Sequence, residues 1–296
     1  MDARALETLR TVGSQGGVTA AAAVLHLTPS AVSQQLAVLQ RDAGVPLTER
    51  VGRGLRLTPA GEALAAAALD VAVAMERAQA ACDAFLERPA GIVRVSAFQS
   101  GAELLLPGLL MRVAALEGIT LECTDEDVAQ VDFAALTDRI DIVVAHRPED
   151  APDWPGVQVV PLLREPLDVA VPVDHPLAAR SAVWPADLVG QEWISVRVGF
   201  PIASLVTEVA GPTPRVVHRV NDFHVTEALV GAGHGISLLP RYTFGASSRT
   251  RLIPLEGVRA ARRIDALLRR DRAERLVVQR VLHELRTLAA TIGPAA

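Results

Sequence analysis

The chain has 296 residues, half of them hydrophobic but only 3% aromatic, and a net charge of −5. That length suits two or three domains, and that charge excludes a surface coated for nucleic acid, so any such partner must be met by a local patch. Two cysteines, Cys82 and Cys123, exclude a disulfide framework. With no basic-then-apolar leader and no apolar run of about 18 residues, the expectation is a soluble cytoplasmic protein without a membrane span.

Residues 3 to 12 carry Leu6, Leu9 and Val12 at helical spacing, and Gly13 with Gly16-Gly17 ends the run. An alanine-rich helix follows from Thr19 to Leu25, and His26-Leu27 makes a turn. Thr28 then suits an N-cap, with Pro29 at the first helical position, where no backbone donor is lost. Val32, Leu36 and Leu39 face inward, and Gly44 stops the helix. The opposite face shows Ser30, Ser33, Gln34 and, toward its edge, Gln35. Short polar groups opening the second helix of a tight helix-turn-helix suit base edges in a major groove, where Gln pairs with adenine and Ser reaches base or phosphate. A merely solvated face explains the same residues equally well, taken alone. The next stretch, LTERVGRGLRLT, tips the balance. It reads as two short strands around Gly52-Arg53-Gly54, a wing carrying Arg50, Arg53 and Arg56. Wing arginines enter minor grooves or grip phosphate.

AAAVLHLTPSAVSQQLAVLQRDAG followed by VPLTERVGRGLRLTPAGEAL resembles the LysR-type transcriptional regulators in both order and spacing. The resemblance implies DNA contacts at Thr28, Pro29, Ser30, Ser33, Gln34 and Arg53; the wing reading adds Arg50, and the edge of the helix adds Gln35. This chain departs from the family pattern at Gln34, where many members have Arg, and at Thr48, where many have a buried Phe.

Leu57-Thr58-Pro59 repeats the cap-and-proline opening and starts a helix expected to reach Phe85. Leu64, Ala68, Val71, Met75, Ala78, Cys82 and Phe85 alternate in steps of four and three, a heptad seam that must pack on something. Either an intramolecular core or a second copy would serve. The length, and the break at Pro89-Ala90-Gly91, favour pairing of two chains, which the resemblance also implies. Cys82 is read as a small packing residue of that seam.

From Ile92 onward short apolar strands alternate with helices, the pattern of a parallel α/β sheet. The strands are expected at 92–95, 120–123, 140–144, 167–171, 193–196, 216–220, 236–239 and 264–268, in one large sheet or two small ones. Helices are expected at 101–116, 225–232 and 273–291, among others. VPVDHPLA, PADLVGQEWI and LVGAGHGISLLP resemble the effector domain of the same family. The whole resemblance implies an α/β protein: an N-terminal winged helix-turn-helix (1–58), a linker helix (59–88), and a periplasmic-binding-protein-like effector domain. Its subdomain I would span 91–163 with 264–292, and its subdomain II 164–263.

In such sheets ligands sit at strand ends beside helix N-termini. Phe98, Ser100 and Gly101 occupy one such place; Ser100 either cradles an anion, caps its helix, or does both. Phe200 across the cleft reads equally as pocket wall or core. Thr124, His146 and Phe223 lie at comparable strand ends; His146 and Arg147 suit the holding of an anion, although Arg147 reads first as a solvated loop residue. Gly231, Gly233 and Gly235 sit between a helix and a strand, the reverse of a dinucleotide loop, and fit a tight turn. Neither a nucleophile elbow nor a Walker loop is present, and His218, His224 and His234 lack zinc-site spacing. Cys123 reads as a buried thiol. No catalytic residue, metal or cofactor is expected. The sequence reads as a ligand-responsive regulator whose partners are double-stranded DNA, a small anionic effector and further copies of itself, as dimer and then tetramer. The rival reading is a solute-binding or enzymatic α/β protein with an N-terminal helical interaction module.

Overall fold

The computed structural model describes every residue except 53, 86–88, 201, 246 and 295–296. The first unit comprises α1 (Ala3–Ser14), α2 (Val18–Leu25), α3 (Pro29–Ala43), β1 (Thr48–Val51) and β2 (Gly54–Leu57). Leu9, Val12, Ala21, Val32, Leu39 and Leu47 bury one core beneath the three helices. α3 starts where Thr28, extended in backbone, accepts a hydrogen bond on Oγ1 from the Ala31 N–H at 3.2 Å. It stops at Gly44, whose φ of 70° suits a residue without Cβ. β1 and β2 pair antiparallel as the wing, with Arg50 opposite Leu55.

α4 (Pro59–Asp83) follows, 25 residues and about 38 Å long. Thr58 caps it, accepting from Gly61 N–H at 3.1 Å. Gly61 is required by proximity rather than by torsion: a Cβ there would lie 2.0 Å from the Leu47 carbonyl oxygen. Gly61→Ala is therefore expected to push the wing off the helix and cost about 2–3 kcal/mol, read as a lower urea midpoint of the winged unit. An unchanged midpoint would mean that the wing does not seat there.

The remaining chain forms β3 (Gly91–Ala97), α5 (Gln99–Val113), β4 (Ile119–Asp125), α6 (Phe133–Leu136), β5 (Ile142–Pro148), β6 (Gln158–Pro172), β7 (Glu192–Ser195), α7 (Leu205–Ala210), β8 (Arg215–Arg219), α8 (Phe223–Gly231), β9 (Ser237–Pro240), β10 (Thr250–Ile253), β11 (Ala261–Leu268) and α9 (Leu276–Ile292). β3 runs parallel to β4 and β5, and β7 to β8. β11 is antiparallel to β5 and to the first half of β6, while the second half of β6 pairs antiparallel with β9 and β10. The sheet is thus mixed, not wholly parallel as the strand–helix alternation suggests. The difference arises in β6 and β11. One core gathers Val95, Leu105, Ile142, Leu163, Ile264, Val281 and Leu285. A second gathers Leu167, Val169, Trp193, Ile194, Val230, Leu239 and Ile253. β6 gives its halves to different cores, and a hydrogen bond from Leu167 N–H to Ala260 O ties the two crossing segments together.

Arg147 is a correction to the sequence reading. It lies inside β5, not in a loop, and is buried. Its Nε donates to Asp265 at 3.0 Å, and Asp153 and the Ala151 carbonyl take the other nitrogens. An arginine at a strand end can be buried when each of its nitrogens finds an oxygen. Cys123 is half-buried rather than buried. The turn at Gly233 and Gly235 fits its sequence reading. Both have positive φ, and a Cβ at Gly235 would meet the Glu192 carbonyl oxygen at 2.8 Å.

Candidate functional site

The structure presents two candidate sites. The first is the opening of α3. Packing of Val32, Leu36 and Leu39 against the core turns Thr28, Pro29, Ser30, Ser33 and Gln34 outward, all exposed. Thr28 Oγ1 lies 3.0 Å from Ser30 Oγ, so the two hydroxyls are hydrogen-bonded to each other. Gln35 behaves differently. Its Oε1 takes a short hydrogen bond from the Thr8 hydroxyl, so its side chain braces α3 on α1. Arg50 is exposed and shares with Ser33, Gly52, Gly54 and the start of α2 a groove of about 800 Å³. Arg53 lies outside the described residues.

The second site is the cleft between the two α/β cores. Phe98, Ser100, His146, Phe200 and Phe223 line one pocket there, together with Gln99, Asp127 and Asn221. The pocket is nearly filled by its own walls, leaving about 20 Å³. Beside it, and sharing Phe200, a cavity of about 440 Å³ opens between Gln130 and Pro148 on one side and Ser195, Thr207 and Arg219 on the other. Thr124 is exposed and lines neither space. Gly101 also lines neither; a Cβ on it would strike the Phe98 ring at 2.6 Å, so its role is to let that ring fold back over the helix start.

Phe98 is the N-cap of α5 and supplies no side-chain acceptor, so the backbone N–H groups of the first turn are not met by a capping side chain. Ser100 is not the cap. Its Oγ instead accepts from Arg262 Nη2 at 3.0 Å. Arg262, fully buried, is a residue that reading the sequence misses. Its Nε and Nη2 donate to Glu165 Oε2 at 2.9 and 2.6 Å, and its guanidinium lies 4.8 Å from the Phe98 ring and 5.7 Å from that of Phe223. Its Nη1 is buried without a partner, as is Nδ1 of His146. Burial, with Arg262 nearby, pushes the His146 pKa well below its usual value, so the ring is neutral. It packs 4.1 Å from Phe98. Arginine is so common here that one at the start of a late strand carries no signal by itself; its pairing with Glu165 spans 97 residues.

Polar contacts tie the cleft's two sides together. Gln99 donates to Asp222 at 2.8 Å, Asn221 to Asp127 at 3.3 Å, and His224 Nε2 meets Glu103 at 2.9 Å. Among the described residues no cluster of three or more His, Cys, Asp and Glu is placed to hold a metal, and no helix is long and apolar enough to cross a membrane.

Residues 3–62 match the family model for bacterial regulatory helix-turn-helix proteins of the lysR family, and residues 86–290 match that for the LysR substrate binding domain. The chain is 27% identical over 280 residues to the HTH-type transcriptional regulator CbbR of Xanthobacter flavus, covering 91% of this chain and 82% of that one. It is 30% identical over 245 residues to CbbR of Rhodospirillum rubrum, covering 80% of each. Among solved structures it resembles a full-length OxyR variant from Pseudomonas aeruginosa, at 20% identity and a TM-score of 0.71, over 100% of this chain and 98% of that one. It also resembles CbnR, a LysR family transcriptional regulator, at 25% identity and a TM-score of 0.54, over 97% and 100%.

Proposed function

Because this chain belongs to the LysR family of transcriptional regulators, we propose that it reads its operator through Thr28, Pro29, Ser30, Ser33 and Gln34 in the major groove, with Arg50 and Arg53 on the backbone or in the minor groove. The chain is a DNA-binding regulator with an effector-binding domain. What supports the reading face is that the core of the winged unit leaves those α3 residues exposed, while the neighbouring Gln35 is half-buried and already engaged by Thr8. Residues 1–58 bind DNA, 59–88 link and pair the chains, and 91–163 with 264–292 and 164–263 form the two halves of the effector domain. Dimer symmetry calls for a roughly palindromic operator with half-sites one or more helical turns apart, and further contacts between effector domains would make tetramers.

An electrophoretic shift with duplex upstream of the protein's own gene tests the reading face. Gln34→Ala should lose about 1–3 kcal/mol of discrimination at one base pair. Arg50→Ala and Arg53→Ala should weaken binding to every sequence and flatten the salt dependence. Parental binding by all three would remove the assignment.

The effector is a small anion with an apolar or aromatic body, held between the subdomains. The uncapped start of α5 and the unpartnered Arg262 Nη1 support the charge, and Phe98, Phe200 and Phe223 support the body. Because the inner pocket is nearly full, binding must part the walls, and the effector acts through its difference in affinity between the two cleft states.

A further inference from the structure

The C-terminal half of α1 lies against the effector domain of the same chain, and the contact is polar, mostly buried and well satisfied. Asp138, whose side chain is 3% exposed, accepts from Arg10 Nη1 at 2.6 Å, Ser14 Oγ at 2.5 Å and Gln15 Nε2 at 2.7 Å. All three donors belong to the winged domain. Gln15 also donates to the Ala135 carbonyl at 3.2 Å. From the effector side Arg269 Nη1 donates to Glu7 at 2.8 Å, while its other nitrogens are fixed by Asp271. Glu7 in turn holds Arg10. Ion pairs elsewhere between linker helix and effector domain, Arg77 with Glu274 and Asp70 with Arg270, are exposed and contribute little. Among these polar contacts the Asp138 cluster is the part with energetic weight.

We propose that this cluster is a releasable latch that holds the reading domain to its own effector domain and carries the state of the cleft to it. Two features support release rather than permanent docking. The contact is made by charges that regain full hydration on parting, so its net free energy is small compared with an apolar interface. Both effector-side anchors also lead directly to the cleft. Gln130 lines the outer cavity, Phe133 stands 6.1 Å from His146, and the same short segment ends in Ala135 and Asp138. Arg262, at the cleft, lies in β11, and Arg269, in the latch, directly follows its last residue, about 23 Å further along the strand direction. A movement of Arg262 or of the His146 ring therefore reaches the latch through packed elements with no flexible linker between, and the latch supplies the two-state element that such coupling requires.

Hydrogen exchange of the full chain, read by mass spectrometry, tests the latch without knowledge of the effector. Arg10→Gln alters only the winged domain, yet should raise exchange in residues 134–141 by about tenfold, the loss of one charge-assisted hydrogen bond. Asp138→Asn alters only the effector domain, yet should raise exchange in residues 8–15 by a similar factor while α3 keeps its protection. Effects confined in both variants to the domain carrying the substitution would overturn the proposal. So would loss of protection throughout the substituted domain with none across the contact.

Discussion

Glu165→Ala is expected to lower the stability of the effector domain by about 3–5 kcal/mol, the cost of leaving a buried charge without its partner. Both side chains of the Glu165–Arg262 pair are fully buried. Glu165 Oε2 takes two hydrogen bonds from Arg262, and Oε1 accepts from the Tyr242 N–H at 3.0 Å. Alanine at 165 would strand a guanidinium that never deprotonates between Phe98 and Phe223. The double variant Glu165→Leu with Arg262→Leu removes both charges and should recover most of the loss. Urea unfolding with an effector-domain probe measures both. A single variant within about 1 kcal/mol of the parent would mean that water reaches the pair, and hence that the cleft stands open. The double variant also separates folding from ligand binding, because it is expected to fold while lacking the donors proposed for the effector.

The degree to which this architecture can be read beforehand follows from how local each signal is. α3 is legible to the residue at both ends because capping by Thr28, Pro29 and Gly44 acts within one turn. The fifteen residues of β6 are legible only over 167–171, since Pro161 and Pro166 interrupt the strand pattern. Those prolines are tolerated because β6 changes neighbours between cores and its pairing with β11 shifts register between Ile264 and Asp265, where Pro161 falls. β10 escapes a sequence reading because it is four residues long and lies at the end of the strand order. In the cleft, Phe98, Ser100, His146, Phe200 and Phe223 stand out as strand-end residues. Arg262, Glu165, Asp127 and Asn221 do not, because their meaning lies in partners some hundred residues away. The same holds for Asp138, an ordinary acid in the sequence whose three winged-domain donors come from α1 and the residue that ends it.

Met75→Glu is expected to separate the paired chains and, with them, tight operator binding. The seam on α4 divides in the structure. Leu64 and Ala68 are spent on the core of the winged unit, while Val71, Met75, Ala78, Cys82 and Phe85 stay exposed, Phe85 to 90%. The adjoining face of α4 is already occupied: Val73 is buried, and Arg77 reaches Glu274 on the effector domain. A run of apolar groups at heptad spacing, on the face that the chain does not cover itself, is what supports the proposed pairing with a second helix. Met75 is 58% exposed in the single chain, so a carboxylate there leaves each copy folded. In the pair it would be buried twice by symmetry, at about 3 kcal/mol per copy, or roughly four decades in the dissociation constant. Sedimentation at micromolar concentration should then show single subunits. Operator affinity should fall by a further ~10²–10⁴, because the two winged domains no longer bind as one body. A variant that sediments as the parent does would move the pairing surface off α4 and leave its exposed apolar seam to some other partner.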